Sequence, residues 1–403
     1  MIPTHEARQR IVSALGPVAT EVVSLAQACG RVLAEDTVAR ITQPPHDVSA
    51  MDGYAVRQAD VQRLPATLTQ AGEARAGGQA AQPVRPGQCV RIFTGAPVPA
   101  DADTIVIQEH VRADPASAGG PRIEILQAPP PGTHIRRAGQ DFRAGAAGLA
   151  AGRALGARDV GLAAAMNVPW LRVRRRPRVA IVSTGDELQL PGDPLGPGQI
   201  LASNGFALAA YVAAWGGEPL QLGILRDRPE EFARLAQELA QVDLLVTSGG
   251  ASVGDYDLVR SALGAQGLRV DFWQVAMRPG KPLLFGRLGT TPLLGLPGNP
   301  VSALVCALLF LRPALERLLG VPTAGQLPYA AAVLGRDLPA NDAREDFLRA
   351  TLARDEAGRW IATPFPVQDS AMLSILARAD CLVQRAPKAP AAKAGDAAQV
   401  ILL

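Results

Sequence analysis

The sequence is poor in cysteine. Its four copies, Cys29, Cys89, Cys306 and Cys381, stand far apart without paired spacing, which argues against a zinc ligand set and a disulfide framework. A reducing, cytoplasmic setting is the expectation. Charge of one sign is also lacking: 40 Lys+Arg against 37 Asp+Glu leave a formal net charge of +3, too little to bind nucleic acid by bulk electrostatics. There is no long hydrophobic run. The longest apolar stretch, Val301 to Leu311, is interrupted by Ser302 and stopped by Arg312, short of the roughly 20 residues of a membrane span. The start, Met1-Ile2-Pro3-Thr4-His5, carries no apolar core of a signal peptide. Missing too are Gly-x-Gly-x-x-Gly after a strand and Gly-x-x-x-x-Gly-Lys-Ser/Thr, so dinucleotide redox chemistry and P-loop hydrolysis lose support. With four histidines and none placed to serve Ser183, Ser248 or Ser252, acyl transfer through an activated serine is a poor reading. His46 beside Asp47 reads as a solvated turn.

What is present describes a globular protein: 403 residues, 48% hydrophobic and 19% charged, enough for two to four domains. Thr4 is placed to cap a first helix reaching Leu15. From about 41 to 143, short β-like runs such as Gln88 to Phe93 and Thr104 to Gln108 alternate with Gly and Pro turns, and predict a β-rich insertion. Residues 112 to 132 read as an exposed loop around one strand, Arg122 to Leu126. The basic run Arg172 to Arg178 reads as a solvated linker. Beyond it strands and helices alternate: helices are expected at Asn204 to Trp215, from Pro229 to about Ala240, and from Val301 to Leu319 with Pro313 as a kink position. This rhythm predicts a doubly wound α/β sheet. After 323 the pattern returns to short strands at Tyr329 to Leu334, Phe347 to Leu352, Trp360 to Thr363, Cys381 to Gln384 and Val400 to Leu403, which suits a small barrel or sandwich. The expected division is 1–172, 173–322 and 323–403.

Short polar loops follow the strands of the α/β region. Val179 to Val182 leads into Ser183-Thr184-Gly185-Asp186-Glu187, Leu244 to Val246 into Thr247-Ser248-Gly249-Gly250-Ala251-Ser252, and Leu293 to Leu296 into Pro297-Gly298-Asn299-Pro300. In an open parallel sheet such loops line the ligand crevice. Unobstructed amides at Ser248-Gly249-Gly250 suit a phosphate or oxyanion, although a tight turn explains the glycines equally. Asp186, Glu187, Asp227 and Asp257 put carboxylates on one rim, a hard-oxygen set suited to magnesium. Capping of the helices from Pro229 and Leu258 is the alternative for Asp227 and Asp257. Arg278 and Lys281, spaced rigidly by Pro279-Gly280, suit a hard anion or form a charged hairpin.

These segments, with Asp52-Gly53-Tyr54-Ala55, Arg91-Ile92-Phe93-Thr94-Gly95, Arg136-Arg137-Ala138-Gly139-Gln140-Asp141 and Ser203-Asn204, occur in the order seen in one family. The chain resembles the molybdopterin molybdenumtransferases, to which the gephyrin E domain is related. The resemblance implies an α/β multidomain chain in which a doubly wound molybdopterin-binding domain joins the β-rich insertion and a carboxy-terminal β-barrel. It implies molybdenum insertion from molybdate into adenylylated molybdopterin, with Mg2+ and release of AMP. It places Asp52, Thr94, Asp141, Glu187, Asp227 and Asp257 in the reaction, the last three as magnesium ligands. Ser183, Thr184, Gly185, Ser248, Gly249, Gly250, Ser252, Arg278, Lys281, Pro297 and Ser370 are placed around the substrate. A homodimer is implied, in which Asp52, Thr94 and Asp141 serve the partner's α/β domain. Exchange with a molybdopterin adenylyltransferase and with proteins delivering the product is expected, and no nucleic acid or membrane partner. The substrate brings its own dithiolene sulfurs, so no cysteine cluster is needed. Gln274 and Arg278 stand where related chains often have lysines, and Gln140 where an acid is frequent. Adenylylation of molybdopterin and non-catalytic cofactor binding are the competing readings.

Overall fold

A computed structural model of the chain describes residues 1–78, 82–115, 120–226, 228–237, 239–249, 263–264 and 266–403. At its centre is a six-stranded sheet in the order Glu218–Leu225, Arg178–Thr184, Leu244–Ser248, Thr291–Leu296, Pro282–Leu288, Leu268–Gln274. The first four strands run parallel and are apolar nearly throughout in the two middle ones, as expected for strands covered on both faces. One face packs Val179, Ile181, Leu244 and Val246 against Ala7, Ile11, Leu208, Val212 and the apolar segment from Val301. The other packs Ala180, Val182 and Leu245 against Phe232 and Leu235 of helix Pro229–Gln237. Helices thus cover both faces, but the sheet is mixed. No long crossover separates Leu268–Gln274, Pro282–Leu288 and Thr291–Leu296, so these strands can pair only as antiparallel neighbours.

Several local expectations change. The kink position at Pro313 is absorbed one turn earlier: helix Pro300–Cys306 passes into a π-turn at Ala307–Leu311 before helix Arg312–Leu318. Proline has no N–H and its ring presses on the carbonyl four residues back, and a wider turn relieves both problems. Thr4 does not cap the first helix. Pro3 holds the cap position of Thr4–Ala14 without a side-chain bond, while the buried Thr4 hydroxyl donates to Glu345. The basic run is no linker either. Trp170–Arg174 pairs antiparallel with Thr20–Ser24, Arg174 donates to the Val18 carbonyl at 3.0 Å, and Arg175 holds Asp243 with two bonds of 2.7 Å. The arginines seam the first region to the central sheet.

The insertion enters and leaves beside the Gln43–Phe142 bridge. Its six strands lie in the order Thr104–Ile107, Gly53–Val56, Gln88–Ile92, Ala66–Ala74, Arg122–Ile125, Val111–Asp114. Val111–Asp114, read as loop from sequence, is the antiparallel mate of Arg122–Ile125. At the carboxy end Glu345–Arg354, Trp360–Pro364, Tyr329–Leu334, Ala397–Leu402 and Cys381–Arg385 pair in a ring, closed by Glu345–Arg354 on Cys381–Arg385, giving a five-stranded barrel. A short strand, Met277–Arg278, leaves the α/β domain to pair parallel with Glu345 and Asp346 of that barrel.

Candidate active site

The strand-end loops meet at one rim. Gly249 has φ +100°, and a Cβ on it would lie 2.4 Å from the Thr184 carbonyl oxygen. At Gly185, φ +146°, a Cβ would lie 2.4 Å from the Glu187 carboxylate. Both positions therefore need glycine, for backbone conformation and for space. Asn204 Nδ2 donates to Ser248 Oγ and to the Gly298 carbonyl, each at 2.8 Å, and Ser248 Oγ reaches the Pro297 carbonyl at 3.4 Å. Thr184, Gly185, Ser248, Gly249 and Pro297 are thereby brought together, with Ser183 buried just below. The hydroxyls of Thr184 and Thr247 are buried and have no hydrogen-bond partner among the described residues. Orphaned buried hydroxyls at the mouth of a sheet mark a place where another polar group is to be met.

The barrel contributes the next element. Asn299 Nδ2 donates to Ser370 Oγ at 2.8 Å, and the Val301 N–H to the Ser370 carbonyl at 3.1 Å. The loop carrying Ser370 is held from beneath by Arg349, which is only 1% exposed. Arg349 donates to Gln368 Oε1 at 3.2 Å, to the Asp369 carbonyl at 2.9 Å and to the Met372 carbonyl at 3.4 Å. Among the described residues no carboxylate lies within ion-pair distance of it. Burial pulls its pKa down and the nearby Asp369 carboxylate partly offsets this, yet a guanidinium stays charged, so a buried positive charge lies under this loop without a direct ion pair among the described residues. Sequence reading missed Arg349. The available signal was parity: it shares a strand face with buried Phe347, an inward place that an arginine rarely takes.

The two predicted cations separate. Arg278 is turned into the barrel, where it holds Asp346 with two bonds and lies 3.5 Å from Asp342. The Asp346 hydrogen bond raises its pKa. Two barrel carboxylates thus partner its charge, while its side chain stays exposed. Lys281 is half-buried and makes no ion pair among the described residues. Gln274 ends its strand with its carbonyl accepting the Ile2 N–H at 3.2 Å.

In the insertion, Asp52 and Thr94 meet directly: the Thr94 N–H and hydroxyl donate to Asp52 Oδ1 at 2.7 and 2.8 Å. The backbone bond first, then the hydroxyl, hold the Asp52 carboxyl below its ordinary pKa. Gly95 follows into a cavity of about 720 Å³ that Asp141, Gln140, Arg136 and His46 also line. No hydrogen bond or ion pair joins Asp52 or Thr94 to the strand-end loops within the described residues. Asp47 is engaged by the Ala138 N–H at 2.8 Å and by Arg137. Burial alone would raise its pKa, but these bonds bring it below the ordinary value.

Gly250, Ser252, Asp227 and Asp257 lie outside the described residues. Of the three expected magnesium ligands only Glu187 is described; its carboxylate is exposed and folded back over Gly185. Among the described residues no group of three or more His, Cys, Asp or Glu could hold a metal. A second missed residue is Arg226, whose guanidinium caps the turn that carries Glu187. Its only sequence signal was adjacency to Asp227. All four cysteines are free, and burial pushes the thiols of Cys89 and Cys381 up to about 12. Among the described residues no helix is long and apolar enough to cross a membrane.

Comparisons with known proteins agree along the length of the chain. Residues 2–167 match the family description "MoeA N-terminal region (domain I and II)", 180–317 "Probable molybdopterin binding domain" and 331–403 "MoeA C-terminal region (domain IV)". A relative from Nostoc sp., named molybdopterin molybdenumtransferase, is 40% identical over 341 residues, 83% of this chain and 77% of its own. One of the same name from Haemophilus influenzae is 34% identical over 95% of this chain and 94% of its own. The crystal structure of the MoeA molybdopterin biosynthesis protein of Pyrococcus horikoshii superposes with a TM-score of 0.83 at 30% identity, covering 100% of this chain and 99% of that one.

Proposed function

The chain belongs to the MoeA family of molybdopterin molybdenumtransferases, transferases of molybdenum cofactor biosynthesis, and we propose that it inserts molybdenum from molybdate into adenylylated molybdopterin with release of AMP. The observation that carries the substrate assignment is the buried Arg349 beneath the Ser370 loop, which forms no ion pair among the described residues. A fixed positive charge with hydroxyl and amide donors above it is an oxyanion seat. Arg349, Ser370 and Lys281 would hold molybdate, and Asn299 orients Ser370.

The rim formed by Thr184, Gly185, Ser248 and Gly249 suits the pterin and phosphate portion of the substrate. Its glycines let backbone approach a ligand closely, and the orphaned Thr184 hydroxyl provides a donor. Exposed Glu187, which forms no ion pair among the described residues, is a hard oxygen donor of the kind Mg2+ accepts together with water and substrate phosphate, and Asp227 and Asp257, outside the described residues, are the further ligands of this reading. When bound, Mg2+ neutralises charge on the pyrophosphate bridge. Arg349, Ser370 and Lys281 keep molybdate facing the dithiolene while the anhydride to the adenylate opens and AMP departs. Position and electrostatics do most of this work.

The Asp52 and Thr94 pair completes the site from a second subunit in this reading. Among the described residues the pair is bonded only within the insertion, and this reading assigns it to the α/β domain of a second copy in a homodimer. Anaerobic single turnover with adenylylated molybdopterin, Mg2+ and molybdate tests the proposal. Molybdate-dependent AMP release together with cofactor formation is the expected result. AMP transfer from ATP to molybdopterin instead would make it an adenylyltransferase, and tight binding with no AMP release would make it a carrier.

A further inference from the structure

Arg226 follows strand Glu218–Leu225 and immediately precedes Asp227, and its side chain runs back along the rim. One guanidinium nitrogen donates to the carbonyls of Asp186 at 2.8 Å and Leu188 at 2.9 Å, and approaches that of Gly185 at 3.4 Å. In the opposite direction the Gly185 N–H donates to the Leu225 carbonyl at 3.2 Å. On its other side the Arg226 N–H donates at 2.7 Å to Glu231, an acid in the first turn of helix Pro229–Gln237. Arg226 is therefore bonded both to the turn that carries Glu187 and to the helix that follows Asp227.

We propose that Arg226 is a positioning residue of the insertase: its guanidinium fixes the Gly185–Leu188 turn, and with it Glu187, in register with the strand end that leads into Asp227. It touches no reacting atom. The turn also has backbone bonds of its own, the Leu188 N–H to the Gly185 carbonyl at 3.4 Å and the Ile200 N–H to the Glu187 carbonyl at 2.9 Å, and Arg226 adds the bonds that tie the Asp186 and Leu188 carbonyls to the neighbouring strand end. A carbonyl that loses a donor turns toward water and loosens the backbone that carries it. An ammonium on a flexible stem can replace part of this contact, since one terminal nitrogen makes all of it. The Glu187 carboxylate, lying over Gly185, has no other described bond to hold it in place. This role rests on the insertase reading, which gives those carboxylates their part in the reaction.

The test uses the full chain with Arg226→Met, which keeps the stem and removes the donors, and Arg226→Lys. In substrate-free protein, hydrogen exchange of the amides in residues 185–188 is expected to quicken about tenfold in Arg226→Met and less in Arg226→Lys. In single turnover, the Arg226→Met rate of AMP release at saturating molybdate should fall about 10- to 100-fold, with partial recovery in Arg226→Lys. The half-saturating molybdate concentration should stay within about twofold, because Arg349 and Ser370 belong to the barrel, on a strand and a loop apart from this turn. Unchanged exchange in Arg226→Met would overturn the proposal. So would a loss of molybdate affinity in step with the rate and a lower melting temperature, which would mean general damage. A wild-type protein that releases no AMP would refute the insertase reading, while the exchange comparison would still decide whether Arg226 holds the turn.

Discussion

Replacing Gly249 by alanine tests the rim at its tightest point. The φ of +100° is one that L side chains rarely adopt, and holding alanine there costs about 1–3 kcal/mol. The new Cβ would also sit 2.4 Å from the Thr184 carbonyl oxygen, where ordinary contact begins near 3.4 Å, so the two chains must part by about 1 Å. That oxygen is backbone and cannot swing aside. Overpacking of this kind adds about 1–3 kcal/mol, for a total of about 2–6 kcal/mol. The strand before Gly249 is buried and paired on both sides, so the loop should yield before the sheet does. Gly249→Ala is thus expected to fold with a melting temperature several degrees lower and to lose AMP release by at least about 100-fold. Gly161→Ala is the control: Gly161 lies mid-helix in Ala157–Ala165 with nothing within 4 Å of an added Cβ, and alanine there should stabilise by about 0.5–1 kcal/mol. Differential scanning calorimetry and single turnover on both variants decide the matter. If Gly249→Ala matched Gly161→Ala in stability and turnover, the close approach at the rim would be wrong.

Arg349→Met removes three hydrogen bonds but also a buried charge that forms no ion pair among the described residues, so stability in urea should change by no more than about 2 kcal/mol, while half-saturation by molybdate rises at least about tenfold. Asp52 has a folded pKa held below its ordinary 3.8, so its tie to Thr94 is fully present above that value and is lost as the pH falls through the lower, folded one. The Thr94 amide resonance should therefore stay constant from neutral pH down to about 5 and shift only under stronger acid, and Asp52→Asn should show that shift at neutral pH. Arg175→Ala breaks the two bonds to Asp243, a partly exposed pair, and should destabilise the central domain by about 1–2 kcal/mol in urea titration without altering turnover.

The fold was readable where hydrophobic pattern and turn chemistry agree. The buried parallel strands at Arg178–Thr184 and Leu244–Ser248 and the five barrel strands lie where apolar runs between turns placed them. The alternation of strand and helix did not reveal that the last strands of the central sheet turn antiparallel, because direction depends on crossover length, and the short helix-poor stretch after Leu268 carries that information only weakly. Val111–Asp114 was lost because its exposed polar residues look like loop when the partner strand is unknown. At the site, the motif loops drew attention to Asp52, Thr94, Ser248 and Ser370, and the structure joins Asp52 to Thr94 and Ser370 to Asn299. The arginines were the hardest to read. Arg278, read as an anion ligand or part of a charged hairpin, pairs with Asp346, whereas Arg349, not singled out, is the buried charge. Whether a cation is free depends on partners distant in sequence, and no local pattern records them.

The placement of helix Thr4–Ala14 bears on how this chain reaches its native state. Ala7 and Ile11 lie in the same core as Val305, Leu309 and Leu315, Ile2 is bridged to Val275, and Thr4 bonds Glu345. This helix thus finds its neighbours only after the segments carrying Val275, Val305 and Glu345 have been made. Until then an apolar helix face must wait in solvent or in the care of a chaperone. A fragment cut at the start of the central sheet would lack one wall of its own core, so this α/β unit cannot be exchanged between proteins as a contiguous cassette.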